Sequence, residues 1–422
     1  MDPVTGGAHC SIGGTQHDYV VTSTLSSQAP PAVGRALGAQ LASQLKIENA
    51  PISPRAVSYV SLGDGSVNNA HFLAALNLAE YASHRGFKCP TLFGITDNQI
   101  SISLRGYDWL PKFVEQRIGM KVFQADGTDI VDSFCAATEA TQFVRKKRKP
   151  AVAVFSNLPR KFGHAATDRQ NAYLTTPEIE NARNHDPLSK MCAHAVHSGA
   201  LSLSQLETRF AELKDVVERA FDRASEEPKI TSRDEIVKRV SQPIRAVTSS
   251  SSNDEDEKPP EVMRKHMTRL MHEVMEQTND VVYLGEDVRH GGYYLVTDKL
   301  YEKFPHRIHD FPPDETTLIG AGMGYAQSGL TPIVEIPYVV FQFLLLAHGI
   351  SLEIISIECF ITFSSNTGTC GLRCTWQRRG PVDCKGSQGR SVRIFTRRSS
   401  RRDMATIWKQ DTRILEHGRE ES

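Results

Sequence analysis

The sequence predicts an α/β protein of two domains in tandem, each a parallel sheet flanked by helices. Three observations carry this. Short apolar runs alternate with segments at helical spacing, the alternation resumes after residue 261, and a stretch without apolar period separates the two series. AVSYVSL (56–62) reads as the first buried strand, the next segment sets Phe72, Ala75, Leu76 and Ala79 at helical spacing, and PTLFGIT (90–96) is again a strand. Strand, helix and strand in that order make a parallel unit. The unit recurs as KVFQ (121–124), a helix over 130–147 and AVAVFS (151–156), after which 177–240 is charged, Leu-punctuated and helical. SQPIRAVTSSSSNDEDEKPPE (241–261) joins a Ser run, an acidic run and a Pro pair, which makes it a linker. Beyond it, 262–278 suits an amphipathic helix, VVYLG (281–285) a strand, and LIGAGMGYAQSGLTPIVEI a helix feeding another strand. The chain therefore divides at 1–240, 241–261, 262–338 and 339–422.

Composition narrows the class. With 422 residues, 40% hydrophobic and 23% charged, the chain has the make-up of a globular protein of two to three domains. Its 49 Lys+Arg balance 49 Asp+Glu, which excludes a globally basic nucleic-acid binder. The balance is a sum of unlike parts, because residues 339–422 hold 13 Lys+Arg against 8 Asp+Glu. Cys359, Cys370, Cys374 and Cys384 crowd into that tail without zinc spacing, while Cys10, Cys89, Cys135 and Cys192 are scattered like thiols of a reducing compartment. Sheet and helix patterning gives way after about Tyr338, and 364–422 show no coherent fold pattern. The longest uncharged apolar run, Ile336–Leu352, is 17 residues with Pro337, Gln342, His348 and Gly349 inside it, short of a membrane span. Neither a membrane nor a nucleic acid is expected as a partner. Asp2 and Pro3 follow Met1 directly, so no signal peptide is expected.

The chemistry-bearing segments lie at strand ends. SLGDGSVNN (61–69) and TDNQIS (96–101) each follow an expected strand, which puts them at the carboxyl edge where open α/β sheets bind ligands. Asp64, Asn98 and the backbone carbonyl of Ile100 offer the hard oxygens that magnesium held against a diphosphate requires. Gly63 and Gly65 let the backbone approach phosphates closely. A lone Asp-Gly is ordinarily a turn; the paired spacing of Asp64 and Asn98 favours the ligand reading.

GDG followed 34 residues after Asp64 by Asn98 resembles the thiamine diphosphate motif. Further segments extend the resemblance to the thiamine-dependent decarboxylating dehydrogenase component of 2-oxo acid dehydrogenase complexes, in its fused α-β form and most similar to the branched-chain (2-oxoisovalerate) type. The resemblance implies a transketolase-like fold with thiamine diphosphate and Mg2+. STLSSQAPPAVGRALG (23–38) resembles the segment before the GDG strand, which implies that Ser23 and Leu25 border the pyrimidine. Thr22, Thr24, Ser27 and Gln28 match a loop that holds K+ in some members.

LPRKFGHAATDRQNAY (158–173) resembles the α-subunit active-site loop, implying a catalytic His164 with Arg160, Asp168 and Tyr173 as loop or lipoyl-domain contacts. Ala165 stands where some relatives carry a phosphoserine, so control by phosphorylation there is not expected. VVYLGEDVRHGGYYLVTDKLYEKFP (281–305) and HDFPPDETTLIGAGMGYAQSGLTPIVEIPY (309–338) resemble the β subunit; Glu315 matches its catalytic glutamate and Glu286 a glutamate at the cofactor-facing edge. A carboxyl group bonded to a ring nitrogen of the aminopyrimidine favours the imino tautomer, which removes the thiazolium proton. Taken alone, PDET also reads as a helix cap.

The resemblance covers about residues 3–240 and 262–338. It implies oxidative decarboxylation of a branched-chain 2-oxo acid such as 3-methyl-2-oxobutanoate, acyl transfer to a lipoylated acyltransferase, and a homo-oligomer. The compartment implied is the mitochondrial matrix in a eukaryote, with an N-terminal address missing, and otherwise the cytoplasm. An upstream α segment and the rest of the β chain are expected to be missing, with the basic tail resembling the product of a frame shift or retained intron. Phe341 falls where the family has a tyrosine facing the pyrimidine. The alternatives are a truncated non-catalytic interaction partner, pyruvate dehydrogenase or a transketolase.

Overall fold

The computed structural model describes residues 24–106, 108–165, 168–229, 231–235 and 261–336, with two further strands at 359–364 and 371–374. Helix α1 (Ala29–Gln44) opens the described chain. Sequence patterning assigned no element there, yet Pro30 and Pro31 fill its first turn, where a missing amide costs nothing.

The first sheet contains β1 (Ser58–Gly63), β2 (Thr91–Thr96), β5 (Lys121–Asp126) and β6 (Ala151–Ser156), in the order β1-β2-β6-β5. All three pairings are parallel, with Gly63 beside Thr96 and Asp126 beside Ser156 at the carboxyl edge. Helix α2 (Ala70–His84) links β1 to β2 and buries Phe72, Ala75, Leu76 and Ala79, the face its spacing predicts. A small hairpin of β3 (Ile100–Ser101) and β4 (Leu104–Arg105), which sequence patterning missed, precedes α3 (Trp109–Arg117). Helix α4 (Ile130–Lys147) starts at Asp129, whose carboxylate accepts from the Val131 amide at 2.8 Å, and ends in Arg145, Lys146 and Lys147, charges that oppose its dipole. Helices α5 (Thr176–Asn184), α6 (Pro187–His197) and α7 (Leu203–Glu226) follow, and none of them buries a residue.

From residue 261 onward come α8 (Met263–Gln277), β7 (Val281–Gly285), α9 (Leu300–Lys303), β8 (Ile308–Asp310), α10 (Glu315–Gln327) and β9 (Thr331–Ile336). With β10 (Cys359–Ser364) and β11 (Gly371–Cys374) they form a sheet in the order β11-β10-β9-β7-β8. Strand β7 runs parallel to β8 and β9 around a core of Met275, Val281, Tyr283, Leu300 and Ile308. Strand β10 pairs antiparallel to β9, which makes this sheet mixed. Its β-branched and aromatic CFITFS is a strand signal inside the Cys- and Ser-rich stretch where sequence patterning stopped at Tyr338. No described helix is long and apolar enough to cross a membrane. The 337–352 part of the apolar run lies outside the described residues.

Candidate active site

The expected metal-side residues gather at the carboxyl edge of the first sheet. Gly63 closes β1 and Asp64 opens a single 3-10 turn, Asp64–Asn68. Asp97, one residue past β2, is 3% exposed. Burial pushes the Asp64 carboxyl above its usual range, the neighbouring Asp97 charge adds to this, and amides including that of Gln99 oppose it. Asp97 is raised as well, by burial. Its Oδ1 accepts from the Gln99 amide at 2.9 Å and Asn98 Oδ1 accepts from the Ile100 amide at 3.0 Å. These two turns, with Gln99 at φ 61°, start the hairpin that carries Ile100.

Ser101 lies against Gly65, where an added Cβ would stand 2.9 Å from the Ser101 Cβ, so glycine is required. At Gly63 an added Cβ would meet nothing within 4 Å, leaving open space beside the backbone. Two adjoining carboxylates, an amide oxygen and a backbone carbonyl form an all-oxygen donor set suited to Mg2+. No group of three His, Cys, Asp or Glu able to hold a metal occurs among the described residues. The carboxylates alone therefore make no metal site, and a metal at this edge would also need the Asn98 and Ile100 oxygens. Sequence reasoning quoted Asp97 within TDNQIS without giving it a role.

Ser23 and Thr22 lie outside the described residues. Leu25 is 54% exposed beside the buried Ser26 and Ser27. Gln28 donates from Nε2 to the Ser61 carbonyl at 3.4 Å, while its Oε1 is buried with no hydrogen-bond partner among the described residues. That oxygen suits a cation such as K+.

The His164 loop leaves β6 at the same edge, where the Leu158 amide donates to the Asp97 carbonyl at 3.0 Å. Arg160 Nη1 donates to the Ile102 carbonyl at 2.5 Å, and Nη2 donates to the Tyr173 hydroxyl. Tyr173 in turn donates to Asp168 Oδ2 at 2.7 Å, and the His164 amide donates to the same oxygen at 2.5 Å. These bonds, the His164 amide first, hold the Asp168 carboxyl below its usual range. The His164 residue itself is exposed.

In the second domain, Glu286 follows β7 and Glu315 is the first residue of α10. The capping role open to PDET belongs to Asp314, which accepts from the Thr316 and Thr317 amides at 3.2 and 3.3 Å. The capping bonds therefore leave Glu315 uncommitted. Burial raises the Glu286 carboxyl, and the Glu315 and Asp314 charges add to the rise.

Helix α2 meets this second edge as well. Thr317 Oγ1 donates to Asp314 Oδ2 at 2.5 Å and lies 3.5 Å from the Ala74 carbonyl, and the Tyr81 hydroxyl donates to the Asp310 carbonyl at 3.4 Å. His71, in the first turn of α2, is lowered by burial, against a bond to the Leu25 backbone and the charge of Asp314. One helix thus joins the GDG turn, the Leu25 segment and the start of α10. His71 escaped sequence reasoning because a single histidine near a helix start carries no pattern.

Residues 4–233, more than half of the chain, match the family model of the dehydrogenase E1 component. The chain belongs to the dehydrogenase E1 component family. Residues 261–369 of this E1 chain match the transketolase pyrimidine binding domain, a match that runs past residue 338. A dehydrogenase E1 match and a transketolase pyrimidine-binding match thus stand in tandem.

Among curated relatives, this E1 chain is 28% identical over 235 residues to the 2-oxoisovalerate dehydrogenase subunit alpha of Bacillus subtilis (strain 168), covering 54% of this chain and 66% of that protein. It is 42% identical over 85 residues to the pyruvate dehydrogenase E1 component subunit beta of Chlorokybus atmophyticus, covering 20% and 25%. It is also 42% identical over 73 residues to the 2-oxoisovalerate dehydrogenase subunit beta of B. subtilis, covering 17% and 22%. The chain thus spans between 22% and 66% of the length of these relatives. A solved transketolase from Pichia stipitis aligns with a TM-score of 0.46 at 16% identity, covering 77% of this chain and 50% of that one.

Proposed function

We propose that this E1 chain uses thiamine diphosphate to decarboxylate a branched-chain 2-oxo acid such as 3-methyl-2-oxobutanoate and passes the acyl group to a lipoylated acyltransferase. The observation that carries the reading is that both site edges meet at α2: the GDG turn leads into this helix, the start of α10, with Glu315, lies against it with Thr317 Oγ1 3.5 Å from the Ala74 carbonyl, and its Tyr81 hydroxyl donates to the Asp310 carbonyl at the end of β8.

Asp64, Asn98 and the Ile100 carbonyl would hold Mg2+ and through it the diphosphate, with Gly63 and Gly65 giving it room. Ser23 and Leu25 would border the pyrimidine, and Gln28 Oε1 would contribute to a K+ site. When bound, thiamine diphosphate supplies a nucleophilic carbon and an electron sink for the loss of carbon dioxide. Glu315 would hold a proton at a pyrimidine ring nitrogen, with Glu286 beside it. His164, exposed on its loop, would move a proton at the substrate carbonyl, while Arg160, Asp168 and Tyr173 fix the shape of that loop.

The α-type relative supports the branched-chain reading, whereas the pyruvate dehydrogenase β relative supports the shorter substrate. A few methylenes in an apolar pocket separate the two by about 10 to 200 fold. The lipoylated partner and a homo-oligomer belong to the same proposal.

The test is calorimetric titration of the full chain with thiamine diphosphate and Mg2+, followed by decarboxylation of 3-methyl-2-oxobutanoate and pyruvate in parallel. Magnesium-dependent binding that Asp64→Ala abolishes supports the reading. No binding by the parent, or equal binding by Asp64→Ala, overturns it. Faster turnover of pyruvate replaces the branched-chain assignment alone.

A further inference from the structure

We propose that Arg105 and Glu178 are a positioning pair, which ties the hairpin carrying Ile100 to the exit of the His164 loop so that the metal donors and the loop are set as one unit. The inference rests on the reading of Asp64, Asn98 and Ile100 as metal donors. Arg105 faces Ile100 directly across the β3–β4 ladder. Its guanidinium grips Glu178 with both ends, Nη1 to Oε1 at 2.6 Å and Nη2 to Oε2 at 3.1 Å. Nη2 also donates to the Tyr173 carbonyl at 3.0 Å, where the loop ends.

Glu178 is itself held in place. Its Oε2 accepts from the Thr175 amide at 2.7 Å and the Thr175 hydroxyl at 2.8 Å, closing the capping box at the start of α5. Arg105 first, and then the Thr175 amide, push the Glu178 carboxyl down to about 2, so the pair stays charged across the neutral range. At the other end of the loop, Arg160 holds the Ile102 carbonyl at the tip of the hairpin. The loop thus grips the hairpin twice, at the tip by its entry and at the base by its exit.

The hairpin needs such restraint. It has two ladder pairs, too few to persist alone, and its turn puts the β-branched Ile102 at φ 58°. Strain of this kind survives only where surrounding contacts enforce it. Simple surface ion pairs contribute little, but a bidentate guanidinium fork with a third bond to a backbone carbonyl fixes direction as well as charge. Lysine, a point charge on a flexible stem, reproduces the charge without the fork.

The experiment compares the full-length parent with Arg105→Met, Arg105→Lys and Glu178→Gln. One readout is Mn2+ binding, as a spectroscopic stand-in for Mg2+, in the presence of thiamine diphosphate. The other is amide hydrogen exchange in the cofactor-free chain over 98–106 and 158–175. Arg105→Met, which removes all three bonds, should weaken Mn2+ binding by about tenfold and speed exchange in both segments by about tenfold, the modest effect expected of a partly exposed charge-assisted fork. Exchange in β6 and α4 should not change, which separates a local effect from unfolding, and Arg105→Lys and Glu178→Gln should fall between Arg105→Met and the parent. Parent-like Mn2+ binding or parent-like exchange in Arg105→Met overturns the pair. A parent that takes up no cofactor overturns the functional reading instead; the exchange data then decide for or against the pair by themselves.

Discussion

Gly34 of α1 and Ala321 of α10 meet backbone to backbone: a Cβ on Gly34 would stand 2.7 Å from the Ala321 Cα. The approach is repeated along both helices. Gly38 faces Tyr325 and Ser328, Gly320 faces Pro30, and a Cβ on Gly324 would overlap the Arg35 amide nitrogen. Residues 317–326 are all buried in this contact and against the sheet behind it. Segment 24–28 runs into α1 and Glu315 starts α10, so the depth of this packing sets the spacing between the two edges of the site.

Adding a methyl group at these steps should be costly. Gly34→Ala and Gly324→Ala collide with backbone atoms that have no rotamer to change, and overpacking of this kind costs about 1 to 3 kcal/mol. At Gly106 the nearest atom to an added Cβ is 3.8 Å away, so Gly106→Ala should stay within about 0.5 kcal/mol of the parent. Urea midpoints of the three variants check this. Equal midpoints for Gly34→Ala and Gly106→Ala would show that the helices part without loss.

Glu315→Gln should suppress proton exchange at the thiazolium carbon while leaving cofactor affinity nearly intact. The same change carries a second signature in the cofactor-free chain. Glu286 is raised by burial and then by the Glu315 and Asp314 charges, so removing one of those charges should bring its pKa down. Carboxyl-carbon NMR titration of Glu286 in parent and variant reads that shift. An unmoved Glu286 titration would show that the two carboxyl groups do not share a site.

The chain order of β1, α2, β2, β5, α4, β6, β7 and α10 was legible because each is a run of one hydrophobic period bounded by turn residues. The hairpin at 100–105 was not, since two-residue strands have no period and form here only because Asp97 and Asn98 bend the chain and Arg105 and Arg160 hold it. Asp64, Asn98 and Ile100 were proposed as metal donors from their paired spacing at two strand ends, and the structure puts them at one sheet edge. The roles of Glu315 and His164 came from the family segments around them. His71 and Glu178 were hidden for a different reason: their partners Leu25, Asp314 and Arg105 are distant in sequence, and nothing in a linear pattern announces such a pairing.

Acid should weaken the join between the two halves through His309. This residue is 8% exposed, stacks on Phe87 at 5.9 Å and 16°, and donates from Nε2 to the His306 carbonyl at 3.0 Å. Its Nδ1 therefore accepts from the Tyr325 hydroxyl, 3.0 Å away, as a neutral ring must. Burial pushes its pKa down from 6.5 to about 4, with the Arg289 and His306 charges adding to the drop. The unfolded chain takes up this proton near 6.5 while the folded chain refuses it until about 4. The stabilising contribution is thus complete above 6.5 and lost as pH falls through that window. A gap of this size corresponds to on the order of 3 kcal/mol. His309→Phe keeps the stack on Phe87 and removes the titration, so the difference in unfolding free energy between parent and variant should change with a slope of one proton between pH 6.5 and 4 and level off outside it. Parallel stability curves for the two proteins across that window would rule out His309 as the acid-sensitive group.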